Sequence, residues 1–154
     1  MKKSKRNLIL VLAVIISACS EESASDNKVA VENKTVSVKR EVDIHAFSRG
    51  QKLYLSNCAK CHGKNAEGDK NWRSTDDDGK YPSPPLNGTA HTWHHSTTVL
   101  VNTIKNGTAK IGGNMPAWKN KLTDNEILDI LVWIKALWPD EIYAVWYKNH
   151  HQEK

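Results

Sequence analysis

The sequence predicts an all-α domain, and three observations carry that expectation. Leu122-Thr123-Asp124-Asn125-Glu126-Ile127 sets a threonine three residues ahead of a glutamate, a capping box. Ile127, Ile130, Leu131 and Ile134 then repeat at the i, i+3, i+4, i+7 spacing of a buried helical face, which Pro139 ends. Ser96 caps a second helix whose Val99, Leu100, Thr103 and Ile104 are expected to face inward, with Gly107 as its stop. No segment alternates apolar and polar residues convincingly enough to be a strand.

At the N-terminus, Lys2, Lys3, Lys5 and Arg6 precede an apolar run from Leu8 to Ile16 and then Ser17-Ala18-Cys19. A basic stretch, a short apolar stretch and a small-residue site form the layout of a secretory signal. The run is about half of the ~20 apolar residues needed to span a bilayer comfortably. Ile16-Ser17-Ala18-Cys19 resembles the lipobox of bacterial lipoproteins, which implies a signal peptide over residues 1–18, cleavage before Cys19 and acylation of that cysteine. The alternatives are an uncleaved N-terminal anchor or an ordinary signal with an incidental cysteine. The expected location is therefore outside the cytoplasm, periplasmic and held to a membrane by lipid. Ser20 after the cysteine leans towards the outer membrane, where the host has one.

Charge follows from that layout. The whole chain carries +5, but residues 1–18 hold four of the positive charges and no acid, so residues 19–154 carry only +1. The basic character mostly belongs to the signal and gives no support to nucleic-acid binding. Residues 19–43 read as a flexible tether, rich in Ser, Glu, Asn, Lys and Val and without an aromatic residue. A coil of about 24 residues spans ~25–30 Å root-mean-square and ~80 Å when stretched. The compact domain is expected over residues 44–148, long enough for one core, with a disordered tail at 149–154 in which His150 is solvated along with His151.

Of the three cysteines, Cys19 belongs to the anchor. The others lie in Cys58-Ala59-Lys60-Cys61-His62, a C-x-x-C-H run that reads as c-type haem attachment. Two thiols three positions apart on a helical turn can add to two vinyl groups of one porphyrin. His62 is then held beneath the iron and can supply an imidazole nitrogen as proximal ligand. A redox C-x-x-C leaves the histidine unexplained. Zinc would want a second Cys/His pair at ligand spacing.

From these residues the chain resembles the class I cytochromes c, over about residues 45–138. Phe47 to Cys58 is similar to the family's N-terminal helix running into the haem motif, with Gly50 and Tyr54 on one face and Gly50 permitting close approach of another helix. Pro84-Pro85-Leu86-Asn87-Gly88 is similar to the proximal proline loop, and the resemblance implies that the Pro84 carbonyl accepts the N–H of the ligand histidine. Gly112-Gly113-Asn114-Met115-Pro116-Ala117-Trp118 is similar to the distal loop that presents methionine sulfur to iron. Trp133 matches the aromatic facing the N-terminal helix. The implied fold is three main helices around one covalent haem c, with long loops supplying the ligands His62 and Met115.

Met115 is the sole methionine beyond the signal and sits in a loop, not on an apolar helical stripe. A thioether ligand raises the potential and fills the sixth iron position. The implied activity is single-electron transfer, not enzymatic catalysis. The implied partners are a membrane-bound donor and a terminal oxidase or reductase. A haem peroxidase is the rival enzyme reading, and it would need an open sixth position.

The cluster His91-Thr92-Trp93-His94-His95 departs from the general family pattern. Its three imidazoles could hold a second metal such as Cu(II) or Zn(II). The favoured reading is a partly exposed loop in which Trp93 packs. Asp76-Asp77-Asp78-Gly79 lacks the ligand alternation and terminal glutamate of an EF-hand and reads as a charged loop. Trp118, Trp133 and Trp138 are expected to serve haem-wall and helix packing.

Overall fold

In the computed structural model residues 38–151 are described. Residues 1–18, Cys19, the tether as far as residue 37, and residues 152–154 lie outside them. Helix α1 (Ile44–Asn57) starts where Asp43 accepts the amides of His45 and Ala46 at 2.8 and 3.1 Å. A four-residue helix, α2 (Ala59–His62), follows at once. A 3₁₀ turn at Thr92–His94 leads to α3 (Thr97–Asn106), and a second at Ala109–Ile111 leads into the loop before α4 (Asp124–Ala136). Helix α5 (Asp140–His150) ends the described chain. Among the described residues the one extended pairing is an isolated parallel bridge between Tyr81 and Gly113.

The main packing is α1 along α4. Ala46, Gly50 and Tyr54, spaced i, i+4, i+8, form the buried stripe of α1. Ile127, Ile130, Leu131, Trp133 and Ile134 form that of α4. At Gly50 the two backbones approach so closely that a Cβ would collide with the Asp129 carbonyl. One residue earlier, Arg49 grips the Asp129 carboxylate through Nε at 2.7 Å and Nη2 at 3.0 Å. One turn further on, Tyr54 lies against Trp133, ring centroids 4.3 Å apart and tilted by 35°. Burying each of Tyr54, Ile127, Ile130 and Leu131 contributes about 1.5–3 kcal/mol, and the aromatic pair about 0.5–1.5 kcal/mol more.

The expected caps are present. Thr123 and Glu126 make the reciprocal capping box, and the Ser96 hydroxyl accepts the Val99 amide at 3.3 Å. The inward face of α3 is narrower than its sequence pattern. Leu100 is buried and Ile104 packs against the core, but Val99 is 45% exposed. α3 meets α4 along the Leu100–Ile104 row, and Val99, about 100° away around the helix, falls outside it.

Helix α5 has no counterpart in the sequence reading, where Pro139 marks an end. It is the extended residue from which α5 departs. The helix buries Trp146, which stands edge-on to Trp138 at 5.6 Å, and packs Ile142 and Tyr143 against the core. It continues through Asn149 and His150, whose ring centroid lies 6.0 Å from that of Trp146. These two residues of the expected tail are helical.

Gly50→Leu should lower the stability of the holoprotein by at least about 1–3 kcal/mol, because the added side chain meets α4 backbone that cannot yield. Thermal unfolding checks it, and an unchanged midpoint would mean that the α1–α4 contact is looser than described.

Candidate haem site

The site begins where α1 stops. The Cys58 amide closes α1 on the Tyr54 carbonyl at 2.8 Å, and the Cys58 carbonyl accepts the amides of Cys61 and His62 at 3.1 and 3.0 Å. That turn puts both thiols and the imidazole on one short helix. Cys58 is half-buried, Cys61 is exposed, and neither is in a disulfide. Burial, and then the neighbouring Cys61, push the Cys58 thiol up to about 11.

His62 is buried, and its Nδ1 lies 2.9 Å from the Pro84 carbonyl oxygen. A carbonyl only accepts, so Nδ1 carries the proton and Nε2 keeps a free lone pair. Burial holds the imidazole below its ordinary pKa, against the opposing pull of the Pro84 bond, so the ring is neutral at pH 7.

The proline loop is held tightly to the turn beyond His62. The Gly68 amide donates to the His62 carbonyl at 2.8 Å, Leu86 donates to Ala66 at 2.8 Å, and Asp69 donates to Ser83 at 2.8 Å. Gly68 has φ +65°, and a Cβ there would strike the backbone of Pro84 and Pro85. Ala66 is fully buried at φ +59°, a left-handed conformation that costs an alanine roughly 1–2 kcal/mol. Its strain is retained where its carbonyl is needed by Leu86.

Met115 is half-buried in the loop after α3. Thr108 fixes its backbone from both sides: the Thr108 amide donates to the Met115 carbonyl at 3.0 Å, and the Thr108 hydroxyl accepts the Met115 amide at 3.0 Å. The charged loop braces the same segment. Asp76 accepts the amides of Asp78 and Lys80 through Oδ1 and the side-chain amide of Asn114 through Oδ2 at 3.2 Å, while Tyr81 donates its amide to the Gly112 carbonyl at 3.2 Å. Sequence reasoning missed Thr108 and Asp76 as supports of this loop: Asp76 acts on a partner 38 residues away, and Thr108, seven residues from Met115, carries no motif that marks it.

The histidine cluster takes the form of the favoured loop reading, with Trp93 packed against the core. His91 stacks on Trp72 at 5.3 Å, His95 stands edge-on to His91 at 5.8 Å, and His94 stacks on Trp93 at 3.8 Å. Among the described residues no group of three or more His, Cys, Asp or Glu side chains at His91, His94 and His95 or elsewhere is arranged to hold a metal ion.

Two uncoupled thiols and a neutral imidazole with an oriented lone pair, all on one turn, suit a covalent haem. The fold and this turn together define a c-type cytochrome. The chain belongs to the family described as cytochrome C oxidase, cbb3-type, subunit III, whose model matches residues 45–134, and it accordingly has the all-α class I cytochrome c fold and one covalent haem c. The curated relatives include subunit CcoP of the cbb3-type cytochrome c oxidase of Azospirillum brasilense, 36% identical over 99 residues, 64% of this chain and 31% of CcoP. They also include cytochrome c-551 of Bacillus subtilis (strain 168), 30% identical over 135 residues, 86% of this chain and 96% of that protein. Cytochrome CL from Methylophaga aminisulfidivorans MPT is a solved structure similar to this chain, with a TM-score of 0.49 and 25% identity, covering 73% of this chain and 68% of that one. The chain spans about a third of the length of CcoP. No helix among the described residues is long and apolar enough to cross a membrane.

Proposed function

We propose that this cytochrome is a one-electron carrier whose haem is attached through Cys58 and Cys61 and whose iron is held between His62 and Met115. The observation that carries the reading is the 2.9 Å bond from His62 Nδ1 to Pro84, which leaves Nε2 as the donor on the turn that bears both thiols. The haem supplies an iron couple that gains and loses one electron.

The remaining work falls to the protein. Pro84 fixes the tautomer and orientation of His62 and makes its ligating nitrogen more basic. Met115 would supply a thioether, which favours ferrous iron and raises the potential. A thioether bound to the iron would also leave it closed to oxygen and peroxide, which disfavours a peroxidase. Thr108 and the Asp76–Asn114 contact brace the backbone that presents Met115, so the ligand need not travel between redox states.

The likeness to CcoP supports a terminal oxidase as electron acceptor, and the N-terminal sequence supports a membrane-bound donor reached from a lipid anchor. In this reading Cys19 carries the lipid outside the cytoplasm and residues 19–43 tether the domain over residues 44–148. Cys19→Ala should release the protein from the membrane fraction and leave its visible spectrum unchanged. Membrane retention at the wild-type level would overturn the anchor.

Met115→Ala tests the site. The variant should keep its covalent haem, show a lower potential, and bind added cyanide much faster than wild type, because ligand entry no longer waits for a bond to open. A wild-type spectrum and potential in the variant would place another residue at the sixth position, with His91, His94 and His95 the first to examine.

A further inference from the structure

Two side chains outside the family-matched segment, one bonded to the proline loop and the other to the turn that carries it, act next to the site. Arg40 precedes α1. Its Nη1 donates to the carbonyls of Lys135 and Ala136, each at 3.2 Å, and its Nη2 to that of Trp138 at 2.9 Å. The guanidinium also pairs with Asp140 at 3.1 Å and lies 4.2 Å from the centroid of the Tyr143 ring. A helix leaves its last carbonyls without intrahelical partners, and a planar cation with several donors suits them. Arg40 thus fixes the turn that joins α4 to α5.

Trp138 sits in that turn, 2% exposed, and donates its indole N–H to the Leu86 carbonyl at 2.8 Å. Two residues before Leu86, the Pro84 carbonyl accepts from His62. The inner side of the loop is tied by the Leu86 amide to Ala66. Its outer side is tied by Trp138. The buried Thr92 hydroxyl adds a further tie, donating to the Pro85 carbonyl at 3.2 Å. We infer that Arg40 and Trp138 are positioning residues that hold the Pro84 carbonyl against His62 Nδ1 and so set the donor strength of the proximal imidazole.

The direction of the effect follows from the bond. A carbonyl held close to Nδ1–H makes Nε2 more basic and favours ferric iron. Loosening it weakens the donor and raises the potential. The inference rests on His62 as an iron ligand.

The experiment uses the full-length holoprotein and three variants: Trp138→Phe, Arg40→Gln and, as a destabilised control whose added methyl meets only α4 backbone at Asp129 and Ile130, Gly50→Ala. The readouts are the exchange rate of the His62 Nδ1 proton in the reduced protein by NMR, the reduction potential, and the thermal midpoint. Trp138→Phe should speed exchange by roughly tenfold, as for loss of one buried hydrogen bond, and shift the potential upward. Arg40→Gln should do both in the same sense and to a smaller extent. Gly50→Ala should lower the thermal midpoint and do neither.

Equal effects in Trp138→Phe and Gly50→Ala would reduce the clamp to general packing and overturn it. So would unchanged exchange and potential in Trp138→Phe. Where Trp138→Phe fails to accumulate with haem, wild-type values in Arg40→Gln overturn the inference just as well. A wild-type His62 ring without iron-shifted resonances in the oxidised, paramagnetic protein would end the ligand reading and this inference together. Iron-shifted resonances with unresponsive variants would end only the inference.

Discussion

His62 gives its Nδ1 proton to the Pro84 carbonyl at 2.9 Å, and much of the domain is arranged so that this bond has one geometry. On one side the imidazole is fixed by the short turn that also carries Cys58 and Cys61. On the other, the carbonyl belongs to an irregular loop that cannot hold itself. It is pressed against the turn at Gly68, tied to Ala66 and Asp69, and backed by Trp138. The strained backbone of Ala66 lies at the same place, where a relaxed conformation would withdraw its carbonyl from Leu86.

The α1–α4 crossing supplies the rigid base. Gly50 lets the helices touch, Arg49 and Asp129 set their register, and Tyr54 stacks on Trp133. Tyr54 links this base to the site directly. Its carbonyl closes α1 on the Cys58 amide, and its hydroxyl donates to the Gly63 carbonyl at 2.8 Å, beyond His62. Packing between helices is thereby transmitted to the haem-binding turn through one residue. The distal side is built differently. Met115 is carried on a loop held by hydrogen bonds with Thr108, Asp76 and Tyr81.

Much of this was legible in the sequence because its causes are local. Cys58, Cys61 and His62 fall within one turn, the capping box of α4 within four residues, and the buried face of α4 within two turns. Pro84 was legible through the resemblance to a known family. The parts that were not legible depend on distant partners. Pro139 reads as a helix stop, and nothing local says that a new helix begins there, although Ile142, Trp146 and His150 recur at i, i+4 and i+8. Arg40 looks like one more charge in a polar stretch until its guanidinium meets the end of α4. The histidine cluster was ambiguous because the stacking partner of His91 is Trp72, in another loop. Val99 fits a helical stripe whose width only the packing of α3 on α4 decides.

The central claim is that one turn and one braced loop hold the iron between a nitrogen and a sulfur. X-ray absorption at the iron edge of the purified holoprotein, in both oxidation states, tests it without any substitution. The account predicts a shell of five nitrogens and one sulfur that is retained on oxidation and reduction, with little change in the iron–ligand distances. A shell of six light atoms in either state would contradict it. That result would remove Met115 from the iron and, with it, the rigid low-reorganisation carrier proposed for this chain.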